Sequence, residues 1–204
     1  WAWLSTPCIV RRDIGFESAA DIESHCDRYP GARIVASPKR SYPHEVLACH
    51  VVGYMQRVTA EEYARWRHDY AGLVAKRFFP DDLIGRSGVE RGWNAALRAA
   101  RGETMLEVDA ARHTQEVLEV VPPVPGCDVH LTLDMELQAT CHQALDGQVG
   151  SIVLLEPSTG RVLAMVSSPG FSPNGLTRQT LAGEGRLSPM MNGAIQAAYP
   201  LGSA

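Results

Sequence analysis

The chain has 204 residues, 45% of them hydrophobic, enough to bury a core as one domain or two small ones. Its formal net charge is −4 with acids and bases interleaved, which leaves no basic face for nucleic acid or anionic lipid. No apolar run approaches the roughly eighteen residues of a membrane span, and no basic start with a small-residue cleavage site marks a signal peptide.

Cys8-Ile9-Val10 reads as a strand. From Glu17 to Asp27, Ala20, Ile22 and His25 recur in a helical pattern that Tyr29-Pro30-Gly31 ends. Residues 32–36 alternate as a short strand, and Tyr42-Pro43 is a turn. Residues 46–52 form an apolar segment closed by Gly53, and periodicity leaves helix or strand open. Thr59-Ala60-Glu61-Glu62 is a capping box, in which hydroxyl and carboxylate each satisfy an orphan N–H. The helix it predicts carries Tyr63, Trp66 and Tyr70. A second box, Ser87-Gly88-Val89-Glu90, predicts a helix bearing Trp93, Ala96 and Leu97 that stops near Gly102. The paired acids Glu61-Glu62 and Asp81-Asp82 read as solvated charge at helix starts. Trp1, Trp3, Trp66 and Trp93 read as core residues rather than a carbohydrate platform. Residues 103–121 are polar, with a β-prone stretch from Gln115 to Val121.

Val121-Pro122-Pro123-Val124-Pro125-Gly126 favours an extended connector and predicts a domain boundary, with one domain over 1–122 and another over 123–204. Val129 to Leu133 then alternates as a short strand. Asp134 is placed as the N-cap of a helix whose apolar face is Leu137, Cys141 and Leu145, stopped by Gly147. Residues 151–155 and 161–166 flank the turn Pro157-Ser158-Thr159-Gly160, a hairpin apolar enough to predict cover on both faces. Residues 167–202 are mostly irregular, with a short helix predicted at Asn192 to Ala198.

Cys8, Cys26, Cys49, Cys127 and Cys141 contain no C-x-x-C pair, and an odd count leaves one thiol free, so they read as small buried hydrophobes. Cys49-His50 and Cys141-His142 are adjacent rather than spaced as ligands, so neither a metal nor a cofactor is predicted. Gly85-Arg86-Ser87-Gly88 lacks the G-x-S-x-G pattern of a nucleophile elbow.

Five stretches together resemble the class B penicillin-binding proteins, the enzymes that cross-link peptidoglycan. Arg40-Ser41-Tyr42-Pro43 followed by His50-Val51-Val52-Gly53-Tyr54 resembles a motif of their non-catalytic N-terminal region, in its elongation-type form. Ile84-Gly85-Arg86-Ser87-Gly88-Val89-Glu90, with Leu97 and Gly102, is similar to the segment before the transpeptidase domain. Leu131-Thr132-Leu133-Asp134 with Leu137-Gln138, then Glu156-Pro157-Ser158-Thr159-Gly160-Arg161, resembles the opening of that domain. Ser168-Pro169-Gly170-Phe171 follows, and Met191-Asn192-Gly193-Ala194 leads to Tyr199-Pro200-Leu201-Gly202-Ser203.

The resemblance implies an α+β fold: a mixed pedestal, or dimerisation, region over 1–122, then the first helix and β-hairpin of a transpeptidase domain over 123–204. It implies that Ser203 is the acyl nucleophile of the full-length protein, acting on peptidoglycan stem peptides and acylated by β-lactams. The lysine of S-x-x-K would follow Ser203, and neither it, S-D-N nor K-T-G occurs in these residues, so the chain itself is expected to be inactive. Cell-wall elongation proteins are the implied partners, a homodimer is one open assembly, and the alternative is a non-enzymatic interaction module. The implied location is the periplasmic face of the bacterial cytoplasmic membrane, reached through an N-terminal anchor that precedes this sequence. Leu201, Ser172 and Gly193 stand where the family carries proline, aspartate and arginine.

Overall fold

The computed structural model describes residues 9–35, 39–69, 78–80, 82–110, 114–181 and 188–198. The architecture is α+β, with short helices and two-stranded sheets. The chain divides into two compact units, one from residues 1–40 and 106–117 and one from 41–105 and 118–204.

In the first unit, helix α1 spans Phe16–Ser24 and buries none of its residues. Of the strands predicted at Cys8-Ile9-Val10 and over residues 32–36, the described residues 9–10 and 32–35 form none, and neither stretch has a pairing partner among the described residues. Val10 is exposed instead.

The second unit begins with the undecided apolar segment, which is helical: a 3-10 turn at Glu45–Ala48 runs into α2, Cys49–Val52. Strand β1 (Met55–Arg57) pairs antiparallel with β2 (Leu83–Gly85), Gln56 opposite Ile84. Between them α3 spans Ala60–Asp69, opened by the predicted capping box. The Glu62 N–H donates to Thr59 Oγ1 at 3.2 Å, and the Thr59 N–H donates to a Glu62 carboxylate oxygen at 2.9 Å. Val58, Phe78 and Ile84 form the core here, with Tyr63 and Trp66 packed against it. Tyr70, Trp1, Trp3, Cys8 and Asp81 lie outside the described residues.

The second box is corrected. Ser87 occupies the N-cap position of α4 (Gly88–Gly92) but makes no side-chain cap. Glu90 is 4% exposed and accepts a hydrogen bond from the Tyr42 hydroxyl at 3.1 Å, so its carboxylate turns inward rather than back along the helix. The predicted single helix also breaks at Trp93, where α5 (Asn94–Leu97) restarts. Trp93 is 55% exposed, which removes it from the core, whereas Trp66 belongs to it.

Gly53 and Gly88 explain how α4 meets α2. Both have positive φ, +85° and +56°. A Cβ on Gly53 would fall 2.0 Å from the Ser87 carbonyl oxygen, and one on Gly88 would fall 2.3 Å from that of Val51. The two segments therefore touch backbone to backbone.

Strands β3 (Glu103–Val108) and β4 (Thr114–Val121) form the next sheet. The sequence signalled only β4; β3 is exposed along its whole length. The proline-rich run is pinned rather than free-standing: Val124 bridges Ala100, and the Cys127 N–H donates to the Ala96 carbonyl at 2.8 Å.

Helix α6 spans Met135–Ala144, and one Asp134 carboxylate oxygen accepts from the N–H groups of Glu136 and Leu137 at 2.9 and 3.1 Å. Strands β5 (Gly150–Leu155) and β6 (Val162–Ser168) pair antiparallel from Gly150–Ser168 to Leu155–Val162. The turn closes with the Gly160 N–H on the Glu156 carbonyl at 2.8 Å. Cys141, Ala164 and Val166 form a second core with Leu145 and Ile152. Three expectations change here. The strand predicted from Val129 to Leu133 does not form. Leu137 is exposed and Gln138, next to it, is the residue turned inward. β6 is well covered, but Val153, Leu154 and Leu155 of β5 are exposed, so cover on both faces holds for one strand only. After β6 come a 3-10 turn at Pro173–Gly175, α7 (Arg178–Leu181) and α8 (Gly193–Gln196), the last shorter than predicted.

Candidate active site

Ser203 and Leu201 lie outside the described residues, so the site is built from the run that leads to them. Residues 188–198 are held against β6 by polar groups. The buried Ser167 hydroxyl accepts from the Gly193 N–H at 2.8 Å. Asn192, also buried, caps α8 by accepting from the Ala194 N–H at 3.1 Å. Its own N–H donates to Gln196 Oε1 at 2.8 Å, and its amide nitrogen faces Met165 Sδ at 3.7 Å. These bonds give the Met191-Asn192-Gly193 stretch its structural content. The N–H of Gly193 is what Ser167 reads, and any residue other than proline supplies that group. Ser172 precedes the 3-10 turn without a side-chain cap.

Three side chains tie residues 42–50 to this region, and spacing alone gave no sign of them. Gln138 is 0% exposed and fully bonded. Its amide donates to the carbonyls of Leu47 at 2.6 Å and Met165 at 2.8 Å, and its oxygen accepts from the Met165 N–H at 2.9 Å. Asn174 pairs with Tyr42 as a strand would: the Tyr42 N–H donates to Asn174 Oδ1 at 3.0 Å, and Asn174 Nδ2 donates to the Tyr42 carbonyl at 2.8 Å. His50 Nε2 donates to the Pro189 carbonyl at 2.8 Å.

That last bond fixes the tautomer of His50. A carbonyl oxygen only accepts, so Nε2 carries the proton, and in the neutral ring Nδ1 is left to accept from the Cys49 thiol at 3.4 Å. Burial pushes the imidazole below its ordinary pKa, opposed by the Pro189 carbonyl. Burial likewise pushes the Cys49 thiol up, which makes it a weak nucleophile. His50 and Tyr54 both meet the buried Phe171 ring edge to face, with centroids 5.4 and 5.8 Å apart.

The charged residues are less solvated than expected. Glu62 takes two hydrogen bonds from Arg86, at 2.5 and 2.9 Å, and the same guanidinium reaches the Arg57 carbonyl at 2.7 Å. The Arg86 bonds first, and the Thr59 backbone second, hold the Glu62 carboxyl at about 2. Asp82 is buried, accepts from Arg98 at 2.6 Å and from the Phe79 N–H at 3.1 Å, and pairs with Arg101. Arg98 and Arg101 also lie over the rings of Phe78 and Phe79. Of the paired acids among the described residues, only Glu61 is solvated as expected. Cys49 and Cys141 are buried as predicted, whereas Cys26 and Cys127 are exposed. Among the described residues no group of three His, Cys, Asp or Glu side chains could hold a metal ion. None of the described helices is long and apolar enough to cross a membrane.

Two family models match in tandem. The penicillin-binding protein dimerisation domain matches residues 3–131, and the penicillin-binding protein transpeptidase domain matches residues 150–204. The class is thus a two-part protein in which a dimerisation domain precedes a transpeptidase domain. The chain belongs to the penicillin-binding protein family.

It is 36% identical over 183 residues to the peptidoglycan D,D-transpeptidase MrdA of Acinetobacter baumannii, covering 86% of this chain and 26% of that one. The chain therefore spans about a quarter of the length of that relative. A Helicobacter pylori penicillin-binding protein, PBP2, solved in complex with MreC, superposes with a TM-score of 0.70 over 90% of this chain and 34% of its own, at 22% identity. That likeness is one of fold. Pseudomonas aeruginosa PBP2, solved in complex with WCK 5153, gives a TM-score of 0.52 at 30% identity, over 78% of this chain and 30% of its own.

Proposed function

We propose that this chain is part of a class B peptidoglycan D,D-transpeptidase of the elongation type. Residues 1–122 are its pedestal and 123–204 open its transpeptidase domain. The observation that carries this reading is the tandem match of dimerisation and transpeptidase models on one chain. Supporting it is the polar seating of Asn192 and Gly193 on β6, just ahead of Ser203.

In the proposed reaction, Ser203 Oγ attacks the carbonyl carbon of the penultimate D-alanine of a stem peptide. The peptide bond breaks, the terminal D-alanine leaves with the proton, and an ester joins peptide and serine. An amine from a neighbouring stem peptide then attacks the ester, forms the cross-link and releases the serine hydroxyl. A β-lactam acylates the same oxygen by ring opening. The reading places the site on the periplasmic face of the cytoplasmic membrane. Its partners are cell-wall elongation proteins, a reading supported by the complex of the Helicobacter relative with MreC, and a homodimer is a further assembly to test.

Labelling the full-length protein with a fluorescent penicillin tests this directly. A single labelled band that disappears on Ser203→Ala is the expected outcome. Labelling that persists in the variant would place the nucleophile elsewhere.

A further inference from the structure

We propose that His50, in the pedestal, is a positioning residue for the nucleophile run, acting through its hydrogen bond to the Pro189 carbonyl. The inference rests on the reading of Ser203 as the nucleophile. Pro189 stands fourteen residues ahead of Ser203, at the point where the chain re-enters the described structure before Asn192 and Gly193.

Two sides hold that entry. From β6, Ser167 and Met165 meet Gly193 and Asn192. From the pedestal, the His50 imidazole alone meets the Pro189 carbonyl among the hydrogen bonds described for that residue. The imidazole cannot move far. Its ring lies edge-on to Phe171, its neighbour Cys49 is buried, and α2 abuts α4 through glycine backbone. A donor anchored this firmly fixes Pro189, three residues ahead of the Asn192 and Gly193 contacts with β6, and a displacement of about 1 Å in a reacting group costs up to roughly a hundredfold in rate. Residues 42–50 therefore do more than support the sheet. They carry one of the groups that set where the nucleophile run starts.

The test uses His50→Phe, which keeps a ring against Phe171 and removes the donor, and His50→Gln, which restores an N–H at similar reach. In the full-length protein, acylation by fluorescent penicillin is followed over a range of concentrations, so that binding and the acylation step are read apart. His50→Phe is expected to slow the acylation step by about tenfold with little change in binding. His50→Gln is expected to recover most of the loss. In parallel, hydrogen exchange is expected to quicken at residues 190–196 in His50→Phe and to leave the α3 amides unchanged. Acylation of His50→Phe at the wild-type rate overturns the proposal. If the wild type takes no label, the reading of Ser203 has failed, and hydrogen exchange then decides the anchor alone: unchanged protection at 190–196 overturns it. If His50→Phe does not fold, His50→Gln is set against His50→Ala, and equal rates in those two overturn it as well.

Discussion

The β1–β2 sheet and the β5–β6 sheet are secured by opposite means. Around β1–β2, Val58, Phe78 and Ile84 pack together, and charge closes the borders of the cluster through Glu62–Arg86 and Asp82 with Arg98 and Arg101. Around β5–β6 the seal is neutral. Cys141, Ala164 and Val166 pack together, and a single buried amide, Gln138, answers three backbone groups at once. Charge at a partly exposed border is sensitive to acid and salt, whereas a buried neutral network is sensitive to the loss of any one of its members.

The largest expected effect comes from breaking the neutral seal. Gln138→Leu keeps the volume but strands the Leu47 carbonyl and both polar groups of Met165, which should cost about 3 kcal/mol in denaturant melts. A cost below about 1 kcal/mol would mean that water replaces the amide, and the contrast between the sheets would weaken.

Next is the charged border. Glu62→Gln should cost about 1.5 kcal/mol at pH 7, since one of the two acceptors for Arg86 becomes an NH2 donor and the other loses its negative charge. The Glu62 carboxyl is lowered from 4.5 to about 2, so its contribution is whole above pH 4.5 and is lost as pH falls through about 2. Melts followed by Trp66 fluorescence should therefore show wild type and Glu62→Gln converging between pH 4.5 and 2. A gap that stays constant down to pH 2 would assign the loss to packing instead.

The smallest effects separate two motifs that look alike in sequence. Thr59→Ala removes a working cap and should cost about 1 kcal/mol. Ser87→Ala removes no cap bond and should stay within roughly 0.5 kcal/mol. Equal costs in paired melts would show that Ser87 contributes something the hydrogen bonds do not reveal.

These examples mark what the sequence can and cannot disclose. The Thr59 box, the Asp134 cap and the turn at Gly160 involve residues within four positions of each other, and each forms as read. Glu90 answers Tyr42 across 48 positions, Gln138 answers Leu47 across 91, and His50 answers Pro189 across 139. No local pattern encodes such pairs, so Glu90 passed for a capping residue, and the inward face of α6 was read through Leu137 rather than Gln138. Asp82 misled for the same reason, because Arg98 and Arg101 reach it from beyond β2. The family resemblance supplied the architecture and the order of the motifs. The ties between residues 42–50 and residues 138, 174 and 189 became visible only with the fold.

The contact between Gly53 and Gly88 also sets the tolerances of this region. Where side chains meet, a spacing can be adjusted in small increments, a methylene added on one side and removed on the other. Where two main chains meet, no such adjustment exists, because the smallest possible addition is a methyl wedge already far inside contact distance of a carbonyl. The joint works as a hard stop. Neighbouring positions are free to diversify while α2, and with it the base of His50, keeps one fixed clearance from α4.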